Sequence, residues 1–129
     1  MNIISDTNIF LAVVLNEPEK DTIVELTANA NAVSPEILPY EIGNALTAMV
    51  KRRRLTRSDA LSALAMANSI SVRLVSVDIQ KALAIALEHN IYAYDAYFLQ
   101  CARKLSCPLL TLDKSMREIA HTLNIDVME

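Results

Sequence analysis

Two aspartates each follow a short segment that is typical of a strand in a parallel sheet. Asp6 comes directly after Asn2–Ser5, and Asp113 comes directly after residues 109–112. In open α/β sheets, ligands bind outside the carboxyl ends of the strands, so both carboxylates are predicted at the edge where such folds do chemistry. The alternative for Asp6 is that it caps the next helix. Asp113 is left without that role, because residues 115–118 fit a capping box for the helix that follows.

Two further acids are predicted at the starts of helices. Asp95 heads a helix whose apolar stripe continues at Phe98 and Leu99, so its carboxylate begins the face that packs inward. A buried carboxylate needs a partner charge, hydrogen bonds or a metal ion, although capping of the helix is the alternative here. Glu41 lies in the first turn of a helix that begins near Pro39, where the helix dipole alone also favours an acid.

Acids at strand ends and helix starts suit a hard divalent cation such as Mg²⁺ or Mn²⁺. The sequence has no cluster of cysteine and histidine that would indicate zinc, since His89 and His121 stand alone. Sites of this kind position a water and offset the charge on a phosphodiester while it is cleaved. Carboxylates packed together without a metal would repel each other, so the cation is expected to be part of the site.

The elements that position these acids alternate along the chain as short strands and helices, which indicates an α/β fold with a parallel sheet and helices on both faces. Strands are predicted at residues 2–5, 32–34, 72–75 and 109–112, with a final edge strand at 126–127. Helices are predicted at residues 7–15, 18–29, from 39 onward, 56–69, 78–89, 94–105 and 115–123. The segment from Thr56 to Asp59 fits a capping box, and the helix from residue 39 carries an apolar stripe at Ile42, Ala45, Leu46, Met49 and Val50. The single glycine, Gly43, rules out a glycine-rich phosphate loop and is interpreted as a site of tight helix packing.

Composition sets limits on the class of protein. With 129 residues, of which 53% are hydrophobic, the chain is predicted to form one domain over residues 1–129. No apolar run approaches the roughly 18 residues that a membrane span needs, and no secretory leader is visible at the N-terminus. Cys101 and Cys107 are expected on different faces of one helix end, hence reduced. We therefore expect a cytoplasmic protein without a membrane association.

Basic residues are concentrated in one place although the net charge is −3. The basic cluster consists of Lys51, Arg52, Arg53 and Arg54, with Arg57 close by. It is either a solvated face that favours the helix dipole, or a surface that contacts RNA phosphates. Tyr92, Tyr94 and Tyr97 could stack bases, but packing at the core or its rim is the preferred interpretation.

Four segments of the chain resemble the PIN domain, and more closely the VapC-type toxins of bacterial toxin–antitoxin pairs. They are Asp-Thr-Asn after the first strand, Pro-Tyr-Glu-Ile-Gly-Asn-Ala-Leu and Tyr-Asp-Ala-Tyr-Phe-Leu-Gln-Cys-Ala at the starts of helices, and Leu-Leu-Thr-Leu-Asp-Lys after a strand. The resemblance spans nearly the whole chain. It implies a five-stranded parallel sheet of order 3-2-1-4-5 and a Mg²⁺- or Mn²⁺-dependent endoribonuclease. It also implies products with 5′-phosphate and 3′-hydroxyl ends, an antitoxin protein as partner, and a homodimer.

The resemblance also assigns roles to individual residues. The implied catalytic residues are Asp6, Glu41, Asp95 and Asp113. Of these, the three aspartates would hold the metal, whereas Glu41 would hold a second cation or orient the attacking water. The polar residues that would support the acids are Thr7, Asn8 and Thr111.

Two other functions fit parts of the pattern. The first is a non-catalytic PIN-like module that binds RNA or a protein, and cleavage of RNA with metal but not with chelator would distinguish the two. The second is a phosphoreceiver signalling domain, which needs an acid pair after the first strand and a phosphoacceptor aspartate after the third. The first strand here ends in one aspartate, and residues 74–78 match the second requirement poorly.

Overall fold

A parallel sheet of four strands forms the centre of the computed structural model, which describes residues 1–129. The strands are β1 (Asn2–Ser5), β2 (Asn31–Pro35), β3 (Val72–Val75) and β4 (Leu109–Leu110), arranged in the order β3-β2-β1-β4. The helices are α1 (Thr7–Val14), α2 (Lys20–Thr27), α3 (Leu38–Lys51), α4 (Arg57–Ser69), α5 (Ile79–His89), α6 (Ala93–Leu105) and α7 (Lys114–Thr122). The predicted α/β class with parallel strands is confirmed.

Strand β1 is buried on both of its faces. Successive side chains of a strand point to opposite sides, and the neighbours Ile3 and Ile4 are exposed by only 1% and 0%. Ile3 belongs to a small apolar cluster with Ile9 and Ile23, whereas Ile4 belongs to the larger core that includes Phe98. The helices therefore cover both sides of the sheet. The carboxyl end of β1 lies between those of β2 and β4.

Local sequence patterns shape α3 and α4 as predicted. The buried face of α3 repeats every four residues at Leu38, Ile42 and Leu46, which is the spacing of one helix stripe. The capping box that begins α4 at Thr56 is confirmed, with the side chain of Thr56 accepting from the amide of Asp59 at 3.0 Å. The first turn of α3 faces the end of β1, because Glu41 in that turn accepts a hydrogen bond from Thr7.

The predicted fifth strand is wrong. Val127 makes one isolated parallel bridge with Leu109, because β4 is only two residues long and offers no further partner. Two backbone hydrogen bonds hold this tail: the amide of Leu109 donates to Asp126 at 2.8 Å, and the amide of Met128 donates to Leu109 at 2.9 Å. The tail thus covers the edge of β4 without extending the sheet.

Strand β4 is also shorter than the predicted strand over residues 109–112, because Thr111 and Leu112 leave the ladder to bond with residues after β1. The interpretation of Gly43 as a packing site is wrong as well. A side-chain carbon added at Gly43 would meet no atom within 4 Å, so no neighbouring helix requires a glycine there. Both cysteines, Cys101 and Cys107, are free.

The strand order creates a crevice beside β1. The chain leaves β1 toward β2 on one side, and β4 later joins β1 on the other side. Ligands of doubly wound sheets bind at such a switch point, outside the carboxyl ends of the strands. Helices α1 and α7 begin at this point, directly after β1 and shortly after β4. No helix in the fold has the length and apolar character that would let it cross a membrane.

Candidate active site

Asp6 lies at the carboxyl end of β1 and is only 5% exposed. One of its carboxylate oxygens, Oδ1, accepts from the amide of Thr7 at 2.8 Å, so that Asp6 is the N-cap of α1. The other oxygen, Oδ2, accepts from the hydroxyl of Thr111 at 2.7 Å. Asp6 therefore does cap a helix, as the alternative interpretation predicted, and at the same time joins the ends of β1 and β4.

Thr7 connects this helix start to α3. Its hydroxyl donates to Oε2 of Glu41 at 2.6 Å and fixes the direction of that carboxylate. Glu41 lies in the first turn of α3, as predicted, and points toward α1 across the crevice. Asp6 and Glu41 are far apart in sequence, and Thr7 joins them in one hydrogen-bonded network.

Thr111 and Asn8 hold the opposite side of the crevice. The side-chain amide of Asn8 donates to the hydroxyl oxygen of Thr111 at 3.3 Å, and its carbonyl oxygen accepts from the amide of Leu112 at 3.2 Å. The Thr111 oxygen also accepts from the amide of Asp113 at 3.0 Å. These bonds turn the chain after β4 and bring Asp113 to the crevice.

The sequence prediction that Asp113 has no structural role is wrong. Asp113 is the N-cap of α7, with Oδ1 accepting from the amide of Met116 at 3.1 Å. Because α7 begins at Lys114, the predicted capping box at residues 115–118 does not form. Capping uses only one carboxylate oxygen, so Oδ2 of Asp113 remains free of protein hydrogen bonds.

Asp95 is the one acid of the four that no protein group holds. It lies in the first turn of α6, whose N-cap is Tyr92, and its carboxylate accepts no hydrogen bond. The capping alternative for Asp95 is therefore wrong. Its two oxygens are not among the buried polar atoms without a partner, so they are accessible from the pocket and open to a ligand there.

The four acids line one open pocket of about 490 Å³ at the crevice. The residues around it are Asp6, Thr7, Asn8, Leu11, Ile37, Tyr40, Glu41, Asn44, Ala45, Tyr94, Asp95 and Asp113. Sequence reasoning missed Tyr40 and Asn44. Helical spacing could have found Asn44, because it lies three residues after Glu41 and hence on the same face of α3.

Burial and mutual repulsion raise the pKa of three acids of the pocket. Loss of solvent is the main cause that raises the pKa of Asp6 from 3.8 to about 6. Its hydrogen bonds from Thr111 and Thr7 oppose this rise, whereas the charges of Asp95 and Glu41 add to it. The pKa of Glu41 is raised by burial and by Asp95, and that of Asp95 is raised by burial and by Asp113. The pocket therefore holds more negative charge than its surroundings compensate.

The residues fit a hard cation by their chemistry. Every charged side chain around the pocket is a carboxylate, and oxygens of Glu41, Asp95 and Asp113 are free of hydrogen bonds. In their positions here, however, no three acidic, histidine or cysteine side chains form a group that could hold a metal. The carboxylates would have to move closer together to bind one ion.

The basic cluster lies away from the pocket. Its residues are exposed at the C-terminal end of α3, and about 15 Å of helix separates Glu41 from Lys51 at 1.5 Å per residue. None of the cluster lines the pocket, so contact with RNA remains a prediction. Tyr94 does line it, while Tyr92 is 84% exposed and lies outside it.

Comparison with known proteins identifies the family of the chain. The sequence model of the PIN domain family matches residues 3–122, which is nearly the whole chain. The chain belongs to the PIN domain family. The resemblance that the four sequence segments indicated is thus confirmed.

Relatives of this PIN domain include VapC proteins. It is 24% identical to Ribonuclease VapC3 of Pyrobaculum aerophilum over 123 residues, which covers 92% of this chain and 94% of the relative. The crystal structure of PAE2754 from the same organism has a TM-score of 0.71 at 20% identity and covers 92% of this chain and 79% of that one. VapBC2 from Rickettsia felis, solved with a DNA fragment from its promoter, has a TM-score of 0.67 at 17% identity, with coverages of 98% and 97%. These two structures support the fold.

Proposed function

We propose that this PIN domain, formed by residues 1–129, is a Mg²⁺- or Mn²⁺-dependent endoribonuclease and the toxin of a toxin–antitoxin pair. The observation that carries the proposal is the pocket itself. Four carboxylates line it and no basic side chain does, so its negative charge has no partner within the protein. A divalent cation is the partner that would offset this charge, and the name of the relative Ribonuclease VapC3 supports RNA as the substrate.

Asp6, Asp95 and Asp113 are the residues that would hold the cation. When bound, it would supply the positive charge that stabilises a phosphodiester during cleavage and activates a water. Asp6 is held rigidly by Thr7 and Thr111, so its carboxylate would set the position of the ion. Asp95 is free to turn toward it, since no hydrogen bond restrains its carboxylate.

Glu41 would hold a second cation or orient the attacking water. Thr7 fixes one of its oxygens at 2.6 Å and leaves the other directed at the pocket. Because burial and Asp95 raise the pKa of Glu41, its carboxylate accepts a proton more readily than an exposed glutamate does. Attack of water on the phosphorus would then leave the phosphate on the 5′ end of one product and a hydroxyl on the 3′ end of the other.

The proposed partners follow from the relatives. The structural neighbour from Rickettsia felis is a VapBC complex, which supports an antitoxin protein as the partner that holds this nuclease inactive. We propose further that two copies of the chain form a homodimer. The basic cluster would contact phosphates of the RNA away from the cleaved bond, because it lies at the other end of α3 from Glu41.

The test of this function is cleavage of an end-labelled RNA by purified protein. We expect cleavage with Mg²⁺ or Mn²⁺ and none with chelator, and we expect Asp95→Asn to abolish it. Asp21→Asn is the matched control, because it makes the same substitution at an exposed position of α2 and should cleave normally. Binding of RNA without any cleavage under these conditions would instead favour the non-catalytic module.

A further inference from the structure

A second groove adjoins the acidic pocket. It has a volume of about 370 Å³ and is lined by Glu36, Ile37, Tyr40, Val77, Ile79 and Tyr97. Ile37 and Tyr40 also line the acidic pocket, so the groove and the pocket meet along the start of α3. The groove is therefore the next surface that a substrate held at the acids would reach.

Aromatic rings connect the two cavities. Tyr94 in the pocket and Tyr97 in the groove make an edge-to-face contact, with ring centroids 6.2 Å apart and planes at 88°. Tyr40, which both cavities share, is 75% exposed and lies directly before Glu41. Tyr97 is partly buried against the core, whereas Tyr40 and Tyr94 are exposed and offer flat faces for stacking beside the charged pocket.

The negative charge of the groove does not suit another phosphate of the RNA chain. Glu36 is its one charged side chain, and no lysine, arginine or histidine lines it. A phosphate in an RNA chain is flanked by two riboses, and each of these carries a neutral, flat base. We propose that this groove is a nucleobase subsite, in which Tyr40 stacks on the base next to the cleaved phosphodiester; the proposal rests on the proposed ribonuclease function.

Glu36 gives the subsite a preference among bases. A carboxylate offers only hydrogen-bond acceptors, so it pairs with base edges that carry amino and ring N–H donors. Guanine presents two such donors side by side, whereas uracil places carbonyl oxygens on both sides of its ring N–H. The subsite therefore favours guanine and disfavours uracil, as carboxylates do when they read amino groups of bases.

The experiment uses guanosine and uridine as probes, with the full chain in chelator. Nucleosides carry no phosphate and need no metal, so their binding is independent of the nuclease reaction. Saturation-transfer NMR should detect guanosine more strongly than uridine. Tyr40→Ala should weaken guanosine binding at least about five-fold, because one stacked base is lost. Tyr40→Phe keeps the ring and should retain binding, and Tyr92→Ala, an exposed tyrosine outside both cavities, is the matched control.

A second variant tests the preference. Glu36→Gln keeps the shape but adds a donor, so it should bring guanosine and uridine close to equal affinity. Equal binding of both nucleosides by the wild-type protein, or unchanged guanosine binding by Tyr40→Ala, would overturn the subsite. No transfer to either nucleoside would also overturn it and would leave the groove to a protein partner. RNA cleavage measured in parallel separates these results from a failure of the nuclease assignment.

Discussion

Replacing Asp6 by asparagine should change the stability of the protein in opposite directions at low and high pH. Burial, with the charges of Asp95 and Glu41, raises the pKa of Asp6 from 3.8 to about 6 in the folded state. Between these values the folded state holds a proton that the unfolded chain releases, so stability falls as the pH rises through this window. Above it, the ionised Asp6 destabilises the metal-free protein by about 3 kcal/mol.

Asparagine removes this charge and keeps most of the shape. Its carbonyl oxygen still accepts from the amide of Thr7, but its amino group meets Thr111, whose oxygen already accepts from Asn8 and Asp113. The lost hydrogen bond costs about 1 kcal/mol. We therefore expect Asp6→Asn to be more stable than wild type by about 2 kcal/mol at pH 8. At pH 4, where little of the charge remains to be removed, it should be less stable by roughly 0.5 kcal/mol.

The assay is urea unfolding of both proteins in chelator, followed by circular dichroism from pH 4 to pH 8. The free-energy difference should change sign within this range, and the slope of unfolding against urea should stay the same. Asp21→Asn, at an exposed position outside the pocket, should show no change of sign. A destabilised Asp6→Asn at pH 8 would refute the reasoning, because it would mean that the network around Asp6 outweighs the cost of burying its charge.

Changes at Asp113, at Gly43 and in the basic cluster test other parts of the proposed site and fold. Asp113→Ala should abolish RNA cleavage and lower stability by about 1 kcal/mol through loss of the α7 cap, whereas Asp113→Asn should abolish cleavage alone, since asparagine also caps. Thermal melting and cleavage assays separate the two effects. A fully active Asp113→Asn would remove this residue from the site. Gly43→Ala should stabilise the protein by roughly 0.5–1 kcal/mol, because an added methyl group meets no atom within 4 Å, and an unfolding curve that shows destabilisation would contradict this. Replacing the four residues of the basic cluster by glutamine should weaken RNA binding and make it less dependent on salt. The slope of log binding constant against log salt concentration should fall by roughly 0.7–0.9 for each phosphate that the protein no longer neutralises. An unchanged slope would assign the cluster to solvent.

What the sequence could predict here depended on how local the deciding contacts are. The stripe of α3 and the capping box of α4 involve residues three or four positions apart, and both form as predicted. The start of α7 was not predictable in the same way, because Asp113 and the segment 115–118 offered competing caps. The hydroxyl of Thr111, fixed by Asn8 from the other end of the chain, holds the amide of Asp113 and places that residue at the cap.

The same distinction applies to the sheet and the pocket. Parallel topology was enough to predict that acids after β1 and after β4 lie at one edge. The missing fifth strand depends on how far β4 extends, and Thr111 ends it early by bonding to Asp6. Tyr40 could not be placed at the pocket from its spacing, because its exposure depends on how α3 packs against the sheet.

Thermal melting with and without Mn²⁺ tests most directly the central claim that the four carboxylates share one cation-binding pocket. The proteins to compare are wild type, Asp95→Asn and Asp21→Asn, each in chelator and in millimolar Mn²⁺. An ion present at about 100 times its Kd stabilises the folded state by about 2.7 kcal/mol, which for a domain of this size raises the Tm by roughly 10 °C. We expect this rise for wild type and Asp21→Asn, and a much smaller one for Asp95→Asn, which should melt no lower than wild type in chelator. Equal rises in all three proteins, or none in any, would contradict a shared cation site.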